Sequence, residues 1–426
     1  MDPAQHAQSV WRDGPFQLFW TGQTISSAGS QVTLVVLPVL IFQLTGSAGR
    51  TAALLTVEAA PYLVFGLFAG AITDRANRRL VMITCDLSRS FAVATVALAA
   101  ALDVLTIPHV YLVAAITGTA FVWHDSGLFG ALPAIVGRAR VTAAFGALIS
   151  GEQVLRIGAT ALGGGLVATL GAAPALWMDA ASYALAATTL ALVPRPFGTG
   201  EVPPRTGTLF AITGRDIAAG LRYLRRHPVI WPLTVTGAGN ALSGGAVLGL
   251  LVVYGVRQLG LTDDYTRLGL LFSAGGIGAL CAGLSLALLG RRVTQTRITL
   301  VALPVNVITV VVLALITDLP TSLLLLFIFG GTTTLIITNG IALRQQLTPD
   351  RLQGRVNVTA RLIAYSGTPI GAALGGLIAD HTSISVTYLI MAFGSAAATF
   401  YAWTSPLRTT DEAAIIQFKN DAEQAC

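Results

Sequence analysis

Charged residues are scarce in this sequence, at 11% of 426 residues, whereas soluble domains carry about 25%. So few charges cannot cover a folded surface with polar groups, which excludes an ordinary water-soluble protein. Hydrophobic residues make up 54% of the chain, and they form runs of about 20 residues, the length that a helix needs to cross a bilayer. The composition therefore predicts an integral membrane protein.

Lysine and cysteine are also rare. Lys419 is the single lysine, and Cys85, Cys281 and Cys426 show neither CxxC nor zinc-ligand spacing. The sequence further lacks a GxxxxGK[ST] phosphate loop, an HExxH motif and a GxSxG motif. These absences exclude a recognisable P-loop ATPase and argue against a membrane enzyme. We expect no catalytic residue, no cofactor and no metal.

Twelve apolar runs are each long enough to cross a membrane as a helix. They do not alternate between apolar and polar residues as membrane strands do, so we predict an all-α integral membrane fold. The predicted spans cover about 16–43, 51–72, 80–102, 110–135, 143–170, 174–193, 229–256, 267–289, 298–317, 321–343, 356–379 and 384–403.

Basic residues are distributed unevenly between the two sides of these spans. With the N-terminus inside, only Arg50, Arg257 and Arg267 lie on the outer side, as the positive-inside rule requires. We therefore predict a multi-pass protein of the cell membrane with both termini in the cytoplasm. This topology explains the net charge of +6 better than a nucleic-acid partner does.

A long polar interval, residues 194–228, separates six spans from six. It ends in a segment whose apolar residues face one side while Arg215, Arg222, Arg225 and Arg226 face mostly the other, which predicts an amphipathic helix on the inner leaflet. The sequence GGLVA at 164–168 returns as GGLIA at 375–379, which indicates two related halves. We predict two pseudo-symmetric six-helix bundles, 1–193 and 229–403, joined by the connector 194–228 and followed by a tail, 404–426.

The stretch GAITDRANRR, residues 70–79, places one acid and three arginines in the short loop between spans two and three. Its spacing resembles the signature loop G-x-x-x-D-R-x-G-R-R of the major facilitator superfamily. Asn77 stands where the superfamily has glycine, so we expect a left-handed backbone there. Residues 23–75, 220–228 and 344–380 resemble the macrolide-efflux and enterobactin-exporter branch of that superfamily.

The resemblance implies a charge network that latches the two halves together on the inner side. Its predicted members are Gly70, Asp74, Arg75, Arg78, Arg79 and Asp86. Asp74 would interact with the facing half near span eleven, and Asp86 is a candidate acid for Arg75 and Arg78. The alternative is that these arginines only orient the loop by the positive-inside rule.

Charged side chains inside a bilayer are costly and are therefore functional candidates. The acids in or near predicted spans are Glu58, Asp86, Asp125, Glu152 and Asp179. We favour Asp125 and Glu152 as proton-coupling carboxylates, because desolvation disfavours the charged form and allows proton exchange near neutral pH. Arg156, one turn after Glu152, would set the charge state of Glu152, unless the two form a static ion pair.

The remaining charged candidates have more than one reading. His124 can relay protons or serve as hydrogen-bonded structure. Glu58 and Asp179 lie nearer the outer ends of their spans and can simply face water when the cavity opens outward. We keep His124 and Glu58 as candidates for proton coupling.

Gly- and Pro-rich stretches occupy corresponding places in the two halves, at 156–165 and 366–376. They predict moving parts or, alternatively, close helix packing through small residues. The hinge or packing candidates are Gly158, Gly163, Gly164, Gly367, Pro369 and Gly375. We expect the substrate cavity to be lined from spans one, four, seven and ten, by Gln23, Gln31, Trp123, Asn240 and Asn339.

Together, the architecture and the resemblance imply a secondary transporter that works by alternating access. Its expected activity is export of hydrophobic or amphipathic small molecules, of the drug, macrolide or siderophore kind, in exchange for protons. A proton-symporting importer of a small metabolite is the alternative. We expect a monomer whose partners are the substrate, protons and the lipid bilayer, with no nucleic acid.

Overall fold

The computed structural model describes residues 10–73, 75–195, 197, 209–262, 264–289 and 293–408. Within these ranges the long elements are all α-helices, and no strand occurs. Helix is the expected state for such apolar runs, because in hydrocarbon every backbone N–H and C=O needs a partner inside its own segment. The helices are α1 Gly14–Thr45, α2 Ala48–Thr73, α3 Arg78–Ala101, α4 Ile107–Val136, α5 Val141–Leu170, α6 Ala172–Leu192, α7 Leu209–Arg226, α8 Ile230–Gly249, α9 Leu251–Arg257, α10 Tyr265–Leu289, α11 Gln295–Leu315, α12 Leu319–Leu347, α13 Asp350–His381 and α14 Ile384–Thr404.

Eleven of the twelve predicted spans coincide with one helix each, and the span 229–256 is divided between α8 and α9. Ten helices of the described part are long and apolar enough to cross a membrane, and α8 with α9 makes up to an eleventh span that is bent by 49°. The remaining predicted span, 51–72, lies in helix α2, which has 26 residues. Large apolar side chains such as Phe91, Phe393 and Phe400 remain more than 70% exposed, as lipid-facing residues do. The predicted all-α membrane fold is confirmed.

The start of α3 corrects one expectation. Asn77 has a φ of −71° and not a left-handed backbone, and its side chain accepts a hydrogen bond from the backbone N–H of Leu80. Asn77 is therefore the N-cap of α3, a position that asparagine favours because its side-chain oxygen satisfies a free N–H of the first turn. The departure from the superfamily glycine strengthens the helix start.

The chain forms two compact units. Unit 1 comprises the described residues within Met1–Leu44, Val57–Thr206 and Asp263–Ser273, and unit 2 those within Thr45–Thr56, Gly207–Thr262 and Ala274–Cys426. The beginning of α2 thus packs in unit 2, where Thr56 donates to the Pro369 carbonyl at 3.0 Å. The beginning of α10 packs in unit 1, where the hydroxyls of Thr160 and Ser273 lie 2.7 Å apart. The division into bundles 1–193 and 229–403 stays a prediction.

Glycines let α8 and α13 approach closely in unit 2. A Cβ atom at Gly367 would lie 2.8 Å from the Leu242 backbone nitrogen, and one at Gly375 would lie 2.9 Å from the Ala246 Cβ. In unit 1, Gly163 similarly faces the Val32 backbone, and Gly164 faces the backbone of Gly269 at the start of α10. Gly158 differs from these candidates, because nothing lies within 4 Å of a Cβ built there.

Helix α7 is amphipathic in the part whose side chains are described. Leu224 is fully buried in the core of unit 2, and the Tyr223 hydroxyl donates to the Leu347 carbonyl at 3.0 Å. Arg222, Arg225 and Arg226 are exposed, whereas the side chain of Arg215 lies outside the described residues. The predicted separation of apolar and basic faces is therefore seen from residue 217 onward.

His227 links α7 to α8. Its Nδ1 accepts from the backbone N–H groups of Val229 and Ile230, both at 3.2 Å, so the neutral imidazole caps the first turn of α8. Burial lowers the pKa of His227 to about 4. The unfolded chain, with a pKa of about 6.5 for histidine, therefore binds a proton more readily than the folded one across this interval.

We expect the stability of the protein to fall as the pH is lowered from about 6.5 to about 4, because protonation of His227 favours the unfolded chain. His227→Asn keeps a capping acceptor and should remove this part of the pH dependence. His227→Ala should cost about 1 kcal/mol at neutral pH through loss of the cap. Thermal unfolding of the purified protein across this pH range measures both effects, and an unchanged profile in His227→Asn would contradict the assignment.

Candidate functional site

The functional candidates that the structure brings together lie inside unit 1. Asp86 and Arg89 are on α3, and their closest charged atoms, Oδ1 and Nη1, are 3.8 Å apart. His124 of α4 approaches the other oxygen of Asp86, with its Nε2 at 3.5 Å. Asp86, Arg89 and His124 are 1%, 7% and 7% exposed, so this group of charges is withdrawn from solvent.

Arg89 lies between two aromatic rings. Its guanidinium carbon is 5.7 Å from the centre of the Phe121 ring on α4 and 5.4 Å from that of Tyr183 on α6. Contacts of this kind stabilise a cation that has lost part of its water. Yet the buried Nε of Arg89 has no hydrogen-bond partner, and neither has Oδ2 of Asp86 nor Nε2 of His124. The charges are close but incompletely satisfied.

Asp179 of α6 is the second buried acid in this region, at 0% exposed. Its Oδ2 accepts from the Thr33 hydroxyl of α1. The Ser182 hydroxyl lies 3.3 Å from Oδ1. Next to it, the hydroxyls of Ser30 and Tyr183 are 2.7 Å apart, so α1 and α6 are joined by two polar contacts.

Glu58 of α2 completes the set. Its side chain is exposed, and the charge of Arg89 acts on both Glu58 and Asp179. We call this set the polar cluster. It consists of Ser30, Thr33, Glu58, Asp86, Arg89, His124, Asp179, Ser182 and Tyr183.

The polar cluster sets three carboxylates against one guanidinium and one imidazole. Ionised side chains in a membrane interior are costly unless paired and hydrogen-bonded, and a partly satisfied network is costlier still. Buried polar atoms without partners therefore call for an explanation beyond folding. An arrangement that gains and loses a proton supplies one, because its best hydrogen bonding differs between charge states.

The latch between the two halves stays a prediction, although the structure describes most of its proposed residues. Asp74 lies outside the described residues, and Gly70 and Arg75 are exposed. Arg78 donates to the Gly130 carbonyl at 3.3 Å. Arg79 donates to the carbonyls of Leu190 and Ala191 at 2.8 and 2.9 Å, so it caps the last turn of α6.

Asp86 does not lie with the latch arginines. It pairs with Arg89 and His124, eight residues into α3 and hence about 12 Å along the helix from Arg78. The sequence placed it near Arg75 and Arg78 because all three are close along the chain, but the helical rise separates them. Asp86 therefore belongs to the polar cluster.

The two favoured coupling carboxylates are half-buried. Asp125 follows His124, and on a helix the next residue points about 100° away, so His124 faces Asp86 while Asp125 points elsewhere. Glu152 is on α5, and the side chain of Arg156 lies outside the described residues. The role of Asp125 and Glu152 in proton coupling stays a prediction.

Four of the predicted cavity residues carry buried polar atoms without a hydrogen-bond partner. Gln23 Nε2, Gln31 Oε1 and Asn240 Oδ1 are buried without a hydrogen-bond partner, and so are both side-chain polar atoms of Asn339. Such atoms normally bind water or a ligand. The fifth, Trp123, lies beside Phe65, with ring centres 6.2 Å apart and the ring planes tilted by 42°.

Trp123 also lines a groove between α3 and α4 with a volume of about 460 Å³. The groove is mainly apolar, with hydroxyl or thiol groups from Thr84, Cys85 and Ser88 on α3 and the hydroxyl of Thr119 on α4. Its lining residues are Thr84, Cys85, Ser88, Ala115, Ile116, Thr119, Ala120 and Trp123. Cys85 is a free, buried cysteine and forms part of the groove wall.

Comparison with known proteins decides the family. The model of a family described as transmembrane secretion effector, within the major facilitator superfamily, matches residues 7–425. This chain belongs to that family. The predicted resemblance is confirmed, and the protein is a multi-pass membrane transporter and not an enzyme.

Its relatives include named exporters. The multidrug efflux pump Tap of Mycolicibacterium fortuitum is 27% identical over 384 residues, which cover 89% of this chain and 92% of Tap. The enterobactin exporter EntS of Citrobacter koseri is 25% identical over 379 residues, covering 87% of this chain and 86% of EntS. Both names match the branch that the sequence motifs indicated.

Solved structures agree on the fold. The nucleoside transporter NupG superposes with a TM-score of 0.74 at 13% identity, over 93% of this chain and 100% of NupG. A bacterial homologue of the human lysosomal transporter Spinster, inward-facing and unoccupied, gives a TM-score of 0.68 at 14% identity, over 98% of both chains. At such identities the likeness concerns the fold alone.

Proposed function

We propose that this transporter exports hydrophobic or amphipathic small molecules from the cell by alternating access, in exchange for protons. The relatives Tap and EntS, whose names describe a multidrug and a siderophore efflux pump, support the direction and the class of substrate. The positive-inside distribution supports cytoplasmic termini, and we propose that a monomer in the cell membrane carries out the cycle.

The observation that carries the proton step is the polar cluster of unit 1. Export against a gradient needs an energy source, and no phosphate-binding loop of the GxxxxGK[ST] form exists in the sequence to use ATP. A group of carboxylates that includes the buried Asp86 and Asp179, with incomplete pairing at Asp86, is suited to bind and release protons. Asp125 and Glu152 remain proposed carriers beside the acids of the cluster.

The other predicted regions have matching roles in this proposal. The arginines of residues 70–79 help to hold the inner side closed during part of the cycle. Gly163, Gly164, Gly367 and Gly375, with Pro369 inside α13, allow spans five and eleven to pack closely and to move. The buried amide atoms without partners in Gln23, Gln31, Asn240 and Asn339 offer hydrogen bonds to polar groups of the cargo.

We expect cells that make the protein to retain severalfold less of a substrate than cells with empty vector. A macrolide, a catechol siderophore and the lipophilic cation ethidium serve as probes, and accumulation is measured with and without a protonophore. The difference should vanish when the protonophore collapses the proton gradient. Higher accumulation in the producing cells would instead indicate an importer, and a difference that survives the protonophore would contradict proton coupling.

A further inference from the structure

We infer that Asp179 of α6 is the carboxylate that takes up and releases the transported proton, with Thr33 of α1 as the group that responds to it. This inference rests on the proposed proton-coupled transport and names a carrier different from Asp125 and Glu152. Asp179 is 0% exposed. It is the most deeply buried acid among the residues of unit 1 that the structure describes.

The space around Asp179 is shaped for a carboxylate. Gly29 of α1 faces it, and a Cβ built at Gly29 would lie 2.6 Å from the Asp179 Oδ1. Gly22, two turns earlier on the same face of α1, similarly lies against Thr189 of α6. The two helices therefore meet at glycines, and the side chains of Asp179 and Ser182 together occupy the space beside Gly29.

The partners of Asp179 separate it from Asp86. Asp86 has two cationic or potentially cationic neighbours, Arg89 and His124, within 4 Å. Among the residues that the structure describes, no basic side chain forms an ion pair with Asp179, whose contacts are with hydroxyls. Ser182 is also nearer to the Asp179 backbone carbonyl, at 2.7 Å, than to the carboxylate. Asp179 is thus the buried acid held least firmly in its charged form.

Protonation inverts the hydrogen bond between α6 and α1. The ionised carboxylate only accepts, so Thr33 must donate to Oδ2. When Oδ2 gains a proton, its O–H becomes a donor and the Thr33 oxygen becomes the acceptor. The Thr33 hydroxyl proton then turns to the carbonyl of Gly29, four residues earlier, the usual alternative for threonine in a helix. One proton is gained, no other bond breaks, and the contact between α1 and α6 changes.

The charged neighbours provide a path and a reason for the proton to move. Arg89 on α3 and Glu58 on α2 are the charged groups that act on Asp179, and Tyr183 on α6 stands beside it. Asp86 and His124 lie beyond Arg89. Glu58 lies at the surface of unit 1, whereas Asp179 is fully buried, so we assign to Glu58 the exchange of protons with water when its part of α2 faces an aqueous cavity. The electrostatic interaction between Arg89 and Asp179 is therefore present when Asp179 is ionised and lost when Asp179 is protonated.

The test reads the proton on Asp179 directly, by pH-difference infrared spectroscopy of the purified protein in lipid. We expect the carbonyl band of a buried carboxylic acid in wild type and its loss in Asp179→Asn. Asp103→Asn, which alters an acid in the turn after α3, is the matched control and should keep the band. Thr33→Val keeps the carboxylate of Asp179 but removes its hydroxyl donor, so the band should shift. Thr33→Val therefore tests the assignment even if Asp179→Asn does not fold.

Transport measurements then separate the two proposals. In proteoliposomes, Asp179→Asn should lower the gradient-driven accumulation of the exported probe at least tenfold. In proteoliposomes loaded with that probe, the variant should still exchange internal for external probe, because exchange needs no proton step. A purely structural role would lower both. If wild type responds to the gradient and Asp179→Asn responds equally, or if its infrared band persists and Thr33→Val leaves it unmoved, Asp179 is not the carrier. If wild type ignores the gradient, the proposed proton coupling itself fails.

Discussion

Replacing Arg89 by leucine is expected to destabilise the protein by about 3–5 kcal/mol, the usual result of removing one partner of a buried ion pair. The change leaves Asp86, which is 1% exposed, without its cation in a region of low dielectric. It also removes the contacts of the guanidinium with Phe121 and Tyr183. The loss is measured as the fall in thermal unfolding temperature of the protein in lipid or detergent.

The chain contains a matched control for this experiment. Asp264 and Arg267 have the same spacing as Asp86 and Arg89, and their charged atoms are 3.1 Å apart, but their side chains are 40% and 57% exposed. An exposed pair contributes at most about 1 kcal/mol, so Arg267→Leu should be nearly silent. The double variant Asp86→Asn with Arg89→Leu should recover part of the loss. Equal effects of Arg89→Leu and Arg267→Leu would show that Asp86 is not a buried charge.

A methyl group at Gly367 is expected to destabilise unit 2 by about 1–3 kcal/mol through overpacking. The new Cβ would lie 2.8 Å from the Leu242 backbone nitrogen and 2.9 Å from the Ala241 Cβ. The main chain of α8 cannot turn aside as a flexible side chain can, so α8 and α13 must separate. Thermal unfolding and the yield of folded Gly367→Ala measure the effect.

Gly158→Ala is the companion variant, since both residues belong to the same set of sequence candidates. Nothing lies within 4 Å of a Cβ at Gly158, and alanine favours helix over glycine by about 1 kcal/mol. We therefore expect unchanged or slightly increased stability. A loss of transport without loss of stability in Gly158→Ala would point to a hinge at this position, whereas a loss of stability would contradict the open space around it.

Much of the fold follows from the sequence, because apolar runs of spanning length have one available structure in a bilayer. The break between α8 and α9 and the N-cap at Asn77 were not predicted. Both depend on local backbone geometry, which the hydrophobic pattern does not encode. The sequence also did not predict that the beginning of α2 belongs to unit 2 and the beginning of α10 to unit 1. These assignments depend on contacts between segments that are distant along the chain.

The sequence determines less of the candidate site than of the fold, for a physical reason. The sequence marks which acids lie in spans, but it does not show which of two neighbours on a helix faces the bundle interior, and His124 rather than Asp125 faces Asp86. Thr33 and Asp179 are 146 positions apart, so no local pattern joins them. A clue did exist in α6, where Asp179, Ser182 and Tyr183 recur at the spacing of one helix face.

The central claim is that a proton gradient drives this transporter through the polar cluster. The most direct test is substrate-dependent proton movement in proteoliposomes that contain the purified protein, a pH-sensitive dye inside and no imposed gradient. Addition of an exported probe on the side from which it is transported should move protons in the opposite direction, and Arg89→Leu with Asp86→Asn should reduce that movement more than Arg267→Leu does. Probe transport without any proton movement in wild type would contradict the account.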